Sequence, residues 1–322
     1  MVIKKTKEKL LSIIVPCYNE ETTIPLFVKE IEKEIKELPL NVELIFVNDG
    51  STDSTEDVLE SIYQKNIFTV TVINFSRNFG KESAMYAGLK YSKGDIVVVM
   101  DVDLQDPPNL LHEMVYAIEK EEYDVVATRR KNRKGEPLLR SFFAKQFYKI
   151  INKVSVVSIV DGARDYRMMT RQVVDALMCL GEYNRFSKGL YEWVGFSIKY
   201  IEYENVHRVA GETNWNFWSL FKYAIEGFVS FTTIPLRIAS ILGSIMSLVS
   251  FIYMMFVVVK TVLFGEAVQG YPSLMSVMLF GFGLQLIVIG ILGEYLARVY
   301  TEVKKRPIYL VKSLLGREND SL

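Results

Sequence analysis

Asp95-Ile96-Val97-Val98-Val99-Met100-Asp101-Val102-Asp103-Leu104-Gln105-Asp106-Pro107-Pro108 carries a short apolar run straight into three carboxylates and two prolines. A run of that length without alternation reads as a strand covered on both faces, the habit of parallel sheets. Three runs upstream read the same way: Leu11–Val15, Glu43–Asn48 and Thr69–Phe75. Between them Ile24, Phe27, Val28, Ile31 and Ile35 recur at helical spacing behind a capping box at Thr22/Thr23, and Val58, Leu59 and Ile62 mark a second helix within Thr52–Tyr63. Strands alternating with helices predict an α/β fold around a mostly parallel sheet, with ligands beyond the C-terminal strand ends. The polar clusters fall at those ends: Pro16-Cys17-Tyr18-Asn19-Glu20, Asn48-Asp49-Gly50-Ser51-Thr52-Asp53, and the Asp101–Pro108 stretch itself.

The rest of the chain differs in kind. Over the full 322 residues, 38 Lys+Arg balance 38 Asp+Glu, so no net field draws nucleic acid. The hydrophobic fraction is 50%, concentrated after residue 234. Residues 238–260 and 272–294 contain two uncharged spans, each long enough to cross a bilayer as a helix, joined by a short polar turn. Arg237 precedes the first span; Arg298, Lys304, Lys305 and Arg306 follow the second, and the turn offers only Lys260 beside Glu266. The positive-inside rule then puts both termini and the front domain in the cytoplasm, on an inner or plasma membrane crossed twice. The apolar run Leu11–Val15 is too short for a signal peptide, and Cys17 and Cys179 read as reduced thiols. Phe217, Trp218, Leu220, Phe221, Ala224, Ile225 and Phe228 form a stripe that either packs on its own domain or lies on the bilayer surface. The expected partition is a catalytic domain over 1–215, a juxtamembrane amphipathic segment over 216–234, two transmembrane helices within 235–300, and a basic tail over 301–322.

Asp101 and Asp103, at i and i+2 after a buried strand, point the same way and can share one hard divalent cation, Mg²⁺ or Mn²⁺. Such an ion neutralises a nucleoside diphosphate leaving group. A carboxylate at Asp49 can accept a base N–H, with Pro16 and Tyr18 flanking the base and Glu20 reaching ribose or base; Asp53 or Ser51 caps the following helix. Arg164-Asp165-Tyr166-Arg167, Arg185-Phe186-Ser187-Lys188-Gly189 and Arg208-Val209-Ala210-Gly211 supply the cations that a diphosphate donor and a phosphate acceptor need.

Ile14–Glu20, Val47–Asp53 and Asp101–Pro108 resemble the family 2 glycosyltransferases, and Phe75-Ser76-Arg77-Asn78-Phe79-Gly80-Lys81-Glu82 with Arg164–Arg167 resembles their polyisoprenyl-phosphate branch, over residues 10 to 312. That branch includes bactoprenol glucosyltransferases and dolichyl-phosphate mannosyltransferases. The resemblance implies a GT-A (Rossmann-like) domain, inversion at the anomeric carbon, and transfer of a sugar from a nucleotide-sugar, with UDP-glucose the leading donor, to undecaprenyl or another polyisoprenyl phosphate. By motif, Pro16, Tyr18, Glu20, Val47, Asp49, Asp101, Val102, Gln105 and Arg129 hold the nucleotide-sugar; Asp101 and Asp103 hold metal; Arg167, Arg185, Lys188 and Arg208 meet the acceptor and phosphates; Asp165 and Asp103 serve the catalytic step. A phosphate monoester, with a second pKa near ~6, is already anionic at neutral pH, so Asp165 is either a base or a positioning group.

Other readings are a processive polysaccharide synthase, which needs more spans to enclose a channel, and a silent scaffold, which needs no stacked carboxylates. No Gly-x-Gly-x-x-Gly follows the first strand, which argues against a dinucleotide enzyme. A two-helix anchor is compatible with a homo-oligomer.

Overall fold

The computed structural model describes residues 9–66, 68–131, 152, 160, 162–204, 232–264 and 270–316. They form two units, one from the front of the chain plus its last residues, the other over Ile225–Arg306.

In the first unit the chain runs β1 (Leu10–Cys17), α1 (Ile24–Glu37), β2 (Asn41–Asn48), α2 (Thr55–Lys65), β3 (Thr69–Phe75), α3 (Lys81–Tyr91), β4 (Ile96–Val99), α4 (Leu110–Glu119) and β5 (Val125–Arg130). It continues with β6 (Ala163–Thr170), α5 (Arg171–Met178), α6 (Ser187–Trp193) and β7 (Ile198–Tyr203), and closes with β8 (Val311–Leu315). The strands lie in one sheet of order β7-β5-β6-β4-β1-β2-β3-β8. β4, β1, β2 and β3 are parallel, whereas β6 and β8 run against their neighbours. All four apolar runs read from the sequence are therefore strands, within two residues at either end.

They are strands because both faces are covered. Leu11, Ile13, Val15, Leu44, Phe46, Val72 and Val98 pack in one buried cluster with Phe27 and Ile31 of α1, Leu59 of α2 and Met114 of α4. Glu43, a charge inside β2, is accommodated because Ser12 Oγ and the Lys93 N–H (2.9 Å) both donate to its carboxylate. The capping box expected at Thr22/Thr23 does not form. Thr23 makes no side-chain cap, and the Glu20 carbonyl instead accepts the N–H groups of Thr23 and Ile24, each at 3.1 Å. Asp53 does support α2, its Oδ1 accepting the Thr55 N–H at 3.1 Å.

The tail expected to be a basic appendage supplies the eighth strand. β8 pairs antiparallel with β3; the Ser76 N–H donates to the Leu310 carbonyl at 3.0 Å, Asn74 Nδ2 donates to Ser313 Oγ at 3.0 Å, and the Tyr309 ring stacks on Phe75 at 4.9 Å. An otherwise open edge of the parallel sheet is thereby covered.

Strand order reverses between β1 and β4, since β2 and β3 lie to one side and β4 to the other. In open α/β sheets the crevice at such a switch point receives the ligand. Gly50, at the end of β2, makes part of this edge possible. Its φ is +65°, and a Cβ there would lie 2.2 Å from the Arg77 carbonyl carbon and 2.6 Å from the Asn78 nitrogen. Those are backbone atoms and cannot swing aside. Gly50→Ala is expected to lower the melting temperature by about 5–10 °C in a thermal unfolding scan; an unchanged midpoint would show the loop to be compliant.

The second unit holds α7 (Ile234–Phe264) and α8 (Tyr271–Val303), of 31 and 33 residues. Both reach beyond the spans read from the sequence. Their most apolar windows have mean hydropathies of 2.3 and 2.0, and none of either window is buried. A core helix of a soluble domain would hide that surface, so these are candidate membrane spans. Ser240 and Ser244 donate their hydroxyls to carbonyls four residues back (3.0 and 2.9 Å), which satisfies polar groups within an apolar helix. The stripe at 217–228 lies outside the described residues.

Candidate functional site

The register of the sheet assembles the site. β4 and β6 are antiparallel with Ile96 opposite Thr170 and Val99 opposite Arg167. Extending that register two residues past β4 sets Asp101 opposite Asp165. Lys81, the first residue of α3, lies between them: its Nζ is 2.6 Å from Asp101 Oδ1 and 2.8 Å from Asp165 Oδ2. Two carboxylates 64 positions apart in sequence thus share one ammonium.

Lys81 is held there from behind. Asp49, at the end of β2, accepts the N–H groups of Phe79 (2.7 Å) and Gly80 (2.9 Å), fixing the loop that delivers the lysine. Burial pushes the Asp49 carboxyl up to about 6 against the pull of those two N–H groups. The residue expected to meet a nucleotide base therefore also clamps the Arg77–Gly80 loop. Each of its oxygens retains a second lone pair for a base N–H.

A second layer surrounds this core. Arg164 Nε lies 3.4 Å from Asp106 Oδ1, and its Nη2 lies 3.9 Å from Asp101 Oδ2. Tyr203 donates its hydroxyl to Asp106 at 2.8 Å, while Gln105 Oε1 accepts from Arg130 at 3.2 Å. The loop after β4 is thus tied to β5, β6 and β7. Burial alone would push the Asp165 carboxyl up, but Lys81, Lys188 and Arg164 outweigh it and hold the group well below the usual carboxylate range. Lys188 is pulled below the ordinary lysine value by burial and by the neighbouring cations Arg164, Lys81 and Arg167, although Asp165 opposes them.

Glu82 completes the assembly, accepting the Ser187 N–H and hydroxyl and so fixing the start of α6 and Lys188 behind it. Burial, reinforced by the negative charge of Asp165, pushes the Glu82 carboxyl from its ordinary 4.5 up to about 7. A carboxyl raised in the fold favours the folded state fully below about 4.5, and that contribution is lost as pH rises through about 7. The melting temperature is expected to fall across that interval. Glu82→Gln, which keeps an acceptor for Ser187, should flatten the fall by about 2–4 °C; an unaltered pH profile would assign the slope elsewhere.

The other sequence-derived residues divide clearly. Pro16 lies in β1 beside Val47 of β2, and Tyr18 is 37% exposed just beyond the strand end. Val47 and Val102 are buried, so any contact from them comes through the backbone. Asp103 is buried and its Oδ1 accepts the Gln105 N–H at 3.1 Å. Glu20 sits at the α1 entry, its N–H donating to Thr55 Oγ1 at 2.9 Å. Arg129 is paired with Glu202 of β7. Arg167 is buried, its guanidinium 4.1 Å from the centre of the Tyr191 ring, and its Nε and Nη1 have no hydrogen-bond partner among the described residues. Arg185 donates to the carbonyls of Leu180 and Leu177, closing the C-terminal end of α5, and covers the Tyr86 ring at 4.4 Å. Arg208 lies outside the described residues. Sequence reasoning assigned no role to Lys81, because one lysine after a glycine has no telling spacing; only the strand register reveals it.

Asp101 and Asp103 are the side chains here that could hold a divalent cation. Among the described residues no three metal-ligating side chains converge, and two carboxylates alone leave the remaining positions to diphosphate oxygens and water, as Mg²⁺ prefers. Asp101 already binds a cation, in the form of the Lys81 ammonium.

The family described as Glycosyl transferase family 2 matches residues 12–178. A glycosyltransferase of Synechocystis sp. is 44% identical over 308 residues, covering 96% of each chain. The bactoprenol glucosyl transferase of Shigella phage SfX is 42% identical over 306 residues, covering 94% of this chain and 99% of that one. The prophage bactoprenol glucosyl transferase homolog of Escherichia coli K12 is 42% identical over 305 residues, covering 94% and 98%. Among solved structures, glucosyl-3-phosphoglycerate synthase from Mycobacterium tuberculosis has a TM-score of 0.44 at 20% identity, over 67% of this chain and 76% of that one. With the family matched over more than half the chain and relatives aligned along nearly all of it, this protein belongs to the family 2 glycosyltransferases, a transferase built on a GT-A-like sheet with two candidate membrane spans.

Proposed function

We propose that the protein transfers a glucosyl unit from UDP-glucose to undecaprenyl phosphate, with inversion, making a lipid-linked sugar for cell-envelope glycans. The carrying observation is the Asp101–Lys81–Asp165 cluster at the switch point of the sheet, flanked by Arg164 and Lys188. Full-length similarity to bactoprenol glucosyl transferases supports the choice of acceptor and sugar.

In this reading a non-bridging oxygen of the acceptor phosphate attacks the anomeric carbon. The bond from that carbon to the β-phosphate oxygen breaks, and UDP departs with the electron pair. No proton need be removed, because the acceptor is ionised. Mg²⁺ or Mn²⁺ held by Asp101 and Asp103 would supply neutralisation of the diphosphate. Pro16, Tyr18, Glu20 and Asp49 orient the nucleotide; Gln105, anchored by Arg130, meets the sugar; Asp165 keeps Lys81 and Lys188 aligned toward the acceptor oxygen.

The same reading places the enzyme in the cell membrane with the catalytic unit and both termini in the cytoplasm. Chain connectivity favours it: β3 precedes the candidate spans, β8 follows them, and the two strands pair in one sheet, so any crossings must be even in number. The test is a panel of nucleotide-sugars offered to the purified protein with undecaprenyl phosphate and Mg²⁺. Lipid-linked product from UDP-glucose well above all others is expected, and a different preferred donor would overturn the sugar assignment.

A further inference from the structure

Lys81 carries a role beyond holding two carboxylates. Its ammonium is 2.6 Å from Asp101 Oδ1, so a divalent ion taking that oxygen would lie within about 5 Å of it. Ion and ammonium cannot both contact that oxygen at such range without strong like-charge repulsion. The lysine is not free to leave the area, because its backbone is pinned through Phe79 and Gly80 to Asp49. Its second partner, Asp165 Oδ2 at 2.8 Å, remains when Asp101 is taken. Arg164, 3.9 Å from the other Asp101 oxygen, is anchored on Asp106 and does not replace it.

We propose that Lys81 is an internal counter-ion that competes with the divalent cation for Asp101 and yields it only when a nucleoside diphosphate brings compensating negative charge. Lys81 is thus a positioning residue that links metal loading to donor binding. In the empty enzyme it neutralises two facing carboxylates. With donor and metal in place it turns to Asp165 alone, on the acceptor side. The link runs through Asp49: a nucleotide at the end of β2 touches the residue that pins the lysine's loop. This inference rests on the metal reading of Asp101 given above.

The test is Mn²⁺ binding, read by the electron paramagnetic resonance of free Mn²⁺, with and without UDP, in the wild-type protein, Lys81→Met and Lys81→Gln. The neutral variants should bind Mn²⁺ roughly ten- to hundredfold more tightly than wild type when UDP is absent. UDP should tighten Mn²⁺ binding in wild type by a much larger factor than in the variants. A neutral variant that folds only with Mn²⁺ present also supports the proposal, since the ion then does the lysine's work. Variants that fold and bind Mn²⁺ no more tightly than wild type overturn it, as do variants unfolded with and without Mn²⁺. Wild-type protein that binds no Mn²⁺ even with UDP would instead overturn the metal reading of Asp101 itself.

Discussion

Asp101→Asn is expected to lower kcat by about a thousandfold at saturating UDP-glucose and undecaprenyl phosphate. The substitution halves the carboxylate pair proposed to neutralise the departing diphosphate, and it leaves Asp165 as the one ion-pair partner of Lys81 among the described residues. The side chains are nearly the same size and Arg164 keeps its contact with Asp106, so the fold should survive. Circular dichroism and the melting temperature would verify that. Activity within tenfold of wild type would remove Asp101 from the chemistry.

Asp165→Asn is expected to cost about a hundredfold in kcat at every pH, without changing the shape of the pH profile. The carboxyl lies well below the usual range because Lys81, Lys188 and Arg164 outweigh its burial, so it is ionised throughout the working range and is a poor proton acceptor. The titration that matters is then the acceptor's. The rate should rise near pH ~6, where a phosphate monoester loses its second proton, and stay level above that. The asparagine variant should keep that rise. A rise in wild type that disappears in the variant would make Asp165 a general base.

The parallel half of the fold was legible because it depends on continuous apolar runs and on turn residues at their ends. β1 to β4 follow from Leu11–Val15, Glu43–Asn48, Thr69–Phe75 and Asp95–Met100 almost residue for residue. The antiparallel half was not. β6 contains Arg164, Asp165 and Arg167, and so many charges in a row imitate a surface turn; burial of Arg167 against Tyr191 is a tertiary fact that no local pattern announces. β8 is only five residues long, with Lys312 and Ser313 inside it, and it follows the long apolar helices, so its partner could not be read from its own composition.

The site divides the same way. Asp49, Asp101 and Asp103 stand at ends of strands that the sequence reveals. Lys81 and Asp165 become neighbours of Asp101 only through the β4–β6 register and the loop held by Asp49. Arg185 is the opposite case. It reads as a ligand-binding cation, yet it caps α5, because a helix end needs donors for its carbonyls as much as a phosphate does.

The central claim is that a lipid phosphate, already charged, is the nucleophile. Purified protein with Mn²⁺ and UDP-[¹⁴C]glucose, offered undecaprenyl phosphate or undecaprenol in separate reactions, tests it directly. Butanol-extractable label with undecaprenyl phosphate alone is the expected result. Equal labelling of undecaprenol, or no lipid label with either acceptor, would contradict it.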